Sequence, residues 1–490
     1  MLLFHQMQFR NSVSSYYAHP AGSHNAGSAL GGNNAGFVSV FLANCALSLR
    51  LVDDSQRRQL VELGVEPDSL RELILTKLRL RLLDVISLGS LEAVQMCVLL
   101  GSYYLYYGEP ELAWPLCGCA LRLAQALGLH RSPPSLAPGL HSGSSIDPSE
   151  SEERKRCWWA IHEIDTFCSM IYGFPQSISD EDCDVEPLYP HDPWSMAADA
   201  QRSPTGRPTL LEYKCAMLRL SKIIKSTLSE VYGTQKKSSR DSRRSPSTLH
   251  DLITRVASLD AQLAEWHSGI PDMLKIGDME ELAIEQRTSN PPASNSIEQL
   301  FQLQALALKL AYENTRILIH RPLLSHKASK PVDRPTRRQT QDYCSLSIKT
   351  CRDAALQVSW AGHAAIFHTA STTYALSFVS LHLLTAGVTL CIMTSLDPLS
   401  RQAQEWKLGI RRIMQMLMSL KLRTVLADQG LRLLKKLLRL VMEKETEKMV
   451  NVGPEIERSA IDVAETPVDN QSFSTYDLSN NFGLHIMKLT

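Results

Sequence analysis

RKRCWWAIHEIDTFCSMIYGFPQSISDEDCDVEPLYP, residues Arg154–Pro190, contains the reading that decides the fold. Cys157, Ile161, Ile164, Cys168 and Ile171 recur at alternating steps of four and three, which makes one apolar face of an amphipathic helix. Ser149, Glu150, Glu152 and Glu153 stand upstream, where carboxylates favour the positive end of a helix. Ser149 with Glu152 fits a capping box. Gly173 suits the left-handed position that ends a helix, and Pro175 prevents continuation. Trp158 and Trp159 are consecutive, so they point about 100° apart around the axis. They cannot share one narrow stripe, and the ordinary reading is that they anchor two neighbouring helices. The acidic run Asp180, Glu181, Asp182 and Asp184 does not have calcium-loop spacing, which needs a central glycine and a distal glutamate. It reads as a structural or solvated loop.

Outward from this stretch, the same helical periodicity continues over most of the chain. Leu70–Leu88 is rich in Leu and Arg. Leu91–Tyr107 and Glu111–Leu127 form a helical hairpin across Gly108 and Pro110, similar to one pair of a tetratricopeptide-like repeat but with no second copy. Ile297–Leu324 is a long apolar-rich helix, and Cys344–Met442 is mostly helical. No region strings several period-two runs together, so the expected fold class is all-α, with irregular helix packing and long loops. The expected organisation is a loosely ordered segment over 1–36, one helical domain over 37–450, and a poorly ordered tail over 451–490. Flexible basic loops are expected near 234–248 and 325–342. From Ala354 to Leu396 there is no Asp, Glu, Lys or Arg, and the apolar segment 372–396 within it is long enough to span a bilayer. Its spread of Ser, Thr and His favours a buried helix, with membrane insertion as the minority alternative.

Composition removes several function classes. Acidic and basic residues balance at 51 each, so no global basic excess points to nucleic acid. The 11 cysteines are scattered, and Cys97, Cys117, Cys157 and Cys168 sit on apolar helical faces. That pattern suits buried hydrophobes in a reducing compartment. No secretory signal is visible at the start. No dinucleotide fingerprint, phosphate-cradling loop or nucleophile elbow occurs. His162-Glu163 begins like a zinc-protease helix, but Thr166 stands where the second histidine is needed. No two cysteines have two residues between them, so local zinc-site spacing is missing. No catalytic residue, metal ligand or cofactor is expected in this chain, and it is read as not an enzyme.

LRLAQALGLHR, Trp158 and Trp159, Asp165, Gly173-Phe174-Pro175 and ISDEDCDVEPL follow one another in an order that resembles the middle homology, or regulatory, region of fungal binuclear zinc-cluster transcription factors. His320-Arg321-Pro322 and Cys351-Arg352-Asp353-Ala354-Ala355 are weaker matches further along. The resemblance implies structural signature positions at Leu127, Gly128, Leu129, His130, Arg131, Trp158, Trp159, Asp165, Gly173, Pro175, Ser179, Asp180, Asp182, Asp184, His320, Arg321 and Pro322. The chain departs from the family pattern at Thr166 and Phe174, where arginine is common. No six-cysteine zinc cluster precedes the matching region here. The implied expectation is therefore a regulator, nuclear or shared with the cytoplasm, that meets DNA only through a domain encoded elsewhere or through a partner. Other transcription factors or the transcription machinery are the implied partners, with homo- or heterodimers left open. The alternative is a helical scaffold or decoy partner of a full-length regulator. Lys236, Lys237, Arg240, Arg243 and Arg244 form a candidate nuclear-import run, whose ordinary reading is a solvated linker.

Overall fold

The computed structural model describes residues 3–4, 6–18, 33–132, 148–190, 209–233, 248–281, 296–328, 334–371, 373 and 375–451, and among them there are helices and no β-strand. The all-α expectation holds. Backbone contacts gather into two compact units, Met1–Ser221 and Lys222–Thr490, within the stretch that periodicity treats as continuous. Periodicity identifies helices but not which faces meet, so a division between two cores leaves no mark in it.

Unit 1 contains α1 (Gln6–Ala18), α2 (Asn33–Arg50), α3 (Asp54–Glu62), α4 (Pro67–Leu80), α5 (Leu82–Ile86), α6 (Leu91–Tyr107), α7 (Pro110–Ala126) and α8 (Pro148–Tyr172). Helix α6 is its centre: every residue from Ala93 to Leu105 is buried. It packs against α2, α7 and α8. The hairpin of α6 and α7 turns at Gly108, as its sequence predicts. The expectation of a loosely ordered 1–36 is corrected in part, because 6–18 is helical and α2 already begins at Asn33. Aromatic packing accounts for this: Phe9 and Tyr16 lie 5.9 and 6.2 Å from Phe37, between ring centroids. Composition carries no trace of such a tertiary contact. Helix α8 begins at Pro148, which places Ser149 inside the first turn rather than at the cap.

Helix α9 (Leu210–Val231) runs through the division between the units. Unit 2 continues with α10 (Thr248–Ser268), α11 (Ser296–His320), α12 (Arg334–Ser359), α13 (Ala365–Ala370), α14 (Ala375–Leu396), α15 (Arg401–Leu420) and α16 (Val425–Asn451). Its core forms around α14, which packs against α11, α12, α15 and α16. A Cβ on Gly387 would come 2.7 Å from Leu434 Cδ1, so the glycine sets how closely α14 and α16 approach. Helix α14 is long and apolar enough to cross a membrane, yet 72% of its most apolar window is buried inside the fold. It is the core helix of unit 2, as the favoured reading expects. Ser380, Thr389 and Thr394 donate to carbonyls four residues back, which satisfies their hydroxyls within the helix. Burial pushes the His382 imidazole down to about 3.

The basic loop expected over 325–342 is corrected in part. Residues 321–328 form 3-10 turns and α12 resumes at Arg334. Pro335 falls in the first turn of α12, where its missing N–H costs no helical hydrogen bond. Residues 234–247 lie outside the described residues, as does the tail beyond Asn451.

Candidate functional site

The signature positions of unit 1 assemble where α7, α8 and the chain after α8 meet. Helix α7 stops in a two-bond cap: Gly128 N donates to Gln125 O at 3.0 Å and Leu129 N to Ala124 O at 2.8 Å. Gly128 has φ +70°, a left-handed conformation that glycine adopts without a Cβ penalty. Arg154 of α8 donates through Nη2 to the Leu127 carbonyl at 2.6 Å, placing a cation at the negative helix end. Leu129 is buried beside this cap.

The next three residues are tied to Asp184. Asp184 N donates to His130 O at 3.2 Å. Ser132 N donates to Asp184 Oδ1 at 2.7 Å, and Ser132 Oγ donates to Asp184 O at 2.6 Å. Arg131 Nη1 lies 3.9 Å from Asp184 Oδ2. Two segments far apart in sequence are therefore one element. The sequence singled out Asp184, His130 and Arg131 but passed over Ser132, whose two hydrogen bonds do most of the joining. A serine in a loop has no periodicity to betray it.

Helix α8 holds the other side. Cys157, Ile161, Ile164 and Cys168 are buried, so the predicted apolar face is the packed one. Trp158 is fully buried, with its ring centroid 5.9 Å from that of His130. Trp159 points elsewhere and donates from Nε1 to the Glu186 carbonyl at 2.9 Å. The tandem tryptophans thus contact different elements: Trp158 the end of the α7 segment, Trp159 the acidic chain after α8. Helix α8 ends at Gly173, φ +69°. Phe174 then stacks on Trp114 of α7 at 4.7 Å, which gives the residue replacing the common arginine an aromatic role. Pro175 is exposed. Buried Asp165 accepts from Ser177 N at 3.0 Å, pinning the chain past Pro175 back onto α8.

Ser179 precedes a 3-10 turn over Asp180–Asp182, and its carbonyl accepts from Cys183 Sγ at 3.1 Å. Asp180, Glu181 and Asp182 are exposed, with Asp180 Oδ1 3.9 Å from His162 Nε2. Among the described residues no group of three or more His, Cys, Asp or Glu side chains is arranged to hold a metal ion.

The weaker signature lies in unit 2. Asp260, His320 and Ser347 form an acid–histidine–serine series: His320 Nε2 stands 3.2 Å from Asp260 Oδ1, and Nδ1 stands 3.1 Å from Ser347 Oγ. The Asp260 contact is an ion-pair distance without good hydrogen-bond alignment. The polar contact with His320 holds the Asp260 carboxyl below the usual carboxylate range, against the opposing effect of burial. Ser347 is 2% exposed and His320 4%, so this hydroxyl cannot reach a substrate. A nucleophile must touch the atom it attacks. The series instead joins α10, α11 and α12. Arg321 donates from Nε to Tyr232 Oη at 3.2 Å, and that hydroxyl donates to Leu318 O at 2.7 Å. Pro322 is partly buried in the turn that follows. Lys236, Lys237, Arg240, Arg243 and Arg244 lie outside the described residues.

Both groups are sets of backbone ties and aromatic contacts that hold helices and loops in place. The family model described as fungal specific transcription factor domain matches residues 2–268, more than half of the chain, and the chain belongs to that family. Similar curated proteins include a transcriptional regulatory protein of Schizosaccharomyces pombe, 24% identical over 55% of this chain and 29% of its own. The transcriptional activator protein acu-15 of Neurospora crassa is 28% identical over 42% of this chain and 19% of its own. Activator of stress genes protein 1 of Candida albicans is 24% identical over 52% of this chain and 25% of its own. The chain therefore spans less than a third of the length of these relatives. No solved structure matches it.

Proposed function

We propose that the chain acts in fungal gene regulation as a helical regulatory module, without catalysis and without reading DNA by its own side chains. The observation that carries this is the family match over residues 2–268, which includes the interlocked Leu127–Ser132 and Asp165–Glu186 segments. Leu129, Trp158, Asp165 and His320 are buried in packing contacts, which supports a module that transmits or receives a signal through its shape. The names of the relatives support a nuclear place of action alongside other transcription factors or the transcription machinery. Contact with DNA is assigned to a further domain or to a partner, because the charges of the chain balance. The run from Lys236 to Arg244 is assigned to nuclear import.

A tethering assay tests the reading. The full chain fused to an unrelated DNA-binding domain should raise or lower a reporter relative to that domain alone. An unchanged reporter would remove the regulator role and leave the scaffold or decoy alternative. Anisotropy titration of the purified chain at physiological salt should find only weak, sequence-independent DNA binding. Tight site-selective binding would overturn the assignment to a partner or further domain.

A further inference from the structure

Helix α16 carries charge in two blocks along one exposed face. Arg432, Lys436 and Arg439 precede Val441, and Glu443 and Glu447 follow it. Val441 itself is buried on the opposite side of the helix. Counted at about 100° per residue from Arg432, Glu443, Lys436 and Glu447 lie about 20°, 40° and 60° to one side, and Arg439 about 20° to the other. Arg432 and Lys436 stand four residues apart, as do Glu443 and Glu447, a spacing at which like charges repel along a helix. Arg439 and Glu443 are also four apart, but with the cation on the N-terminal side, which is the weaker order. Among the described residues Lys436, Arg439, Glu443 and Glu447 take part in no ion pair, while Arg432 meets Asp428. The other side of the helix is committed to the fold: Lys407 Nζ lies 2.5 Å from Glu445 Oε1, and Lys448 Nζ donates to the Leu396 carbonyl at 3.4 Å. The charged face is therefore held outward on a fixed helix. An open groove of 480 Å³ runs along its acidic half, lined by Met442, Glu443, Thr446, Glu447 and Val450. Methionine and valine there suit aliphatic stems, and the two carboxylates suit the cationic ends of such stems.

We propose that the occupant of this face is α16 of a second copy of the chain, laid antiparallel about a two-fold axis at the level of Val441. Charge order fixes the register. At about 1.5 Å per residue, Arg439 and Glu443 lie about 3 Å before and after that level, and Lys436 and Glu447 about 8 and 9 Å. Reversing the second helix sets Arg439 against Glu443 of the second copy near the centre line. It sets Lys436 against Glu447 of the second copy on one flank, and the symmetry repeats both pairs. Each cation block then faces an acidic block, so the repulsion within each helix is offset across the contact. A parallel pairing sets like charge against like and is excluded. Leu440 and Met442, each 57% exposed, stand one residue to either side of the axis level, at opposite edges of the face. Each thereby lies beside its own copy and covers the charged centre. The contact is about 27 Å long from Arg432 to Val450 and one helix wide, so the dimer is of the weak, reversible, salt-sensitive kind.

Sedimentation velocity of the full chain over a wide concentration range tests this. The expected result is a concentration-dependent shift from monomer to dimer. It should fade as salt rises from about 0.1 M to about 1 M, where the screening length drops from ~10 to ~3 Å. K436E/R439E makes the face acidic throughout and E443K/E447K makes it basic throughout, so each variant alone should sediment as a monomer. An equimolar mixture of the two should dimerise again, because acidic face then meets basic face. A variant that merely fails to fold cannot be rescued by such mixing. Carbodiimide cross-linking of mixed heavy- and light-isotope chains locates the contact. Lys436 and Glu447 are about 17 Å apart along one helix, too far for a direct bond, so their cross-link should join heavy to light chains. A chain that stays monomeric at every concentration would overturn the proposal. So would a dimer that persists in K436E/R439E, which would place the interface elsewhere, or a mixture of the two variants that remains monomeric while both are folded by circular dichroism.

Discussion

The signature junction of unit 1 and the α14 core of unit 2 are stabilised by different means. At the junction, loop backbone is held by individual side chains: Asp184, Asp165, Trp159 and Arg154 each meet one or two backbone groups of a remote segment. In the core, α14 satisfies its own hydroxyls and meets its neighbours through apolar contact spread over many residues. The junction therefore depends on a few named residues. The core depends on shape and volume summed over helices. At the junction each tie needs a particular donor or acceptor at a particular place. Core residues leave only a pattern, because many apolar residues fill similar space.

The sharpest test of this contrast is Trp158, which is fully buried where α8 meets the α7 segment. Trp158→Ala should cost about 3–5 kcal/mol through lost burial and the cavity left behind. The expected result is a lower melting temperature and faster hydrogen exchange in α8. A stability unchanged within error would mean that the junction does not rest on this residue. Asp165→Ala comes next. It leaves the Ser177 N–H without its acceptor, at a cost of about 2 kcal/mol. Protease sensitivity should rise around Gly173–Ser179 and stay as it was in α14.

The core should answer to pH instead. His382 is buried and neutral in the fold, and its folded value near 3 lies below the ordinary 6.5 of a free histidine. The unfolded chain therefore binds the extra proton first as pH falls. Stability from this group is fully present above about pH 6.5 and is lost progressively from there toward pH 3, amounting to about 1.4 kcal/mol by pH 5.5. Denaturant midpoints measured between pH 7 and 5.5 should show this slope, and His382→Gln should flatten it. An equal slope in the variant would place the acid sensitivity elsewhere. Least of all, Arg131→Ala should change stability by under about 0.5 kcal/mol, since its contact with Asp184 is exposed and 3.9 Å long. A larger loss would show that the junction depends on charge as well as on its backbone ties.

Much of this protein is legible without coordinates. Helical period, the Gly173 stop after α8 and the Gly108 turn between α6 and α7 are local properties, set by backbone sterics and side-chain spacing within a few residues. The order of LRLAQALGLHR, the tandem tryptophans and the acidic run is enough to place the chain in its family. What that order does not contain is which group meets which. The Ser132–Asp184 clamp, the Glu186 carbonyl under Trp159, the Asp260–His320–Ser347 series and the aromatic seat of α1 all join residues that sequence separates widely. The division into two units and the burial of α14 depend likewise on which apolar faces pair. Local sterics determine an element from its own residues. Pairing is a free-energy comparison over the whole folded chain, so only the tertiary structure decided it.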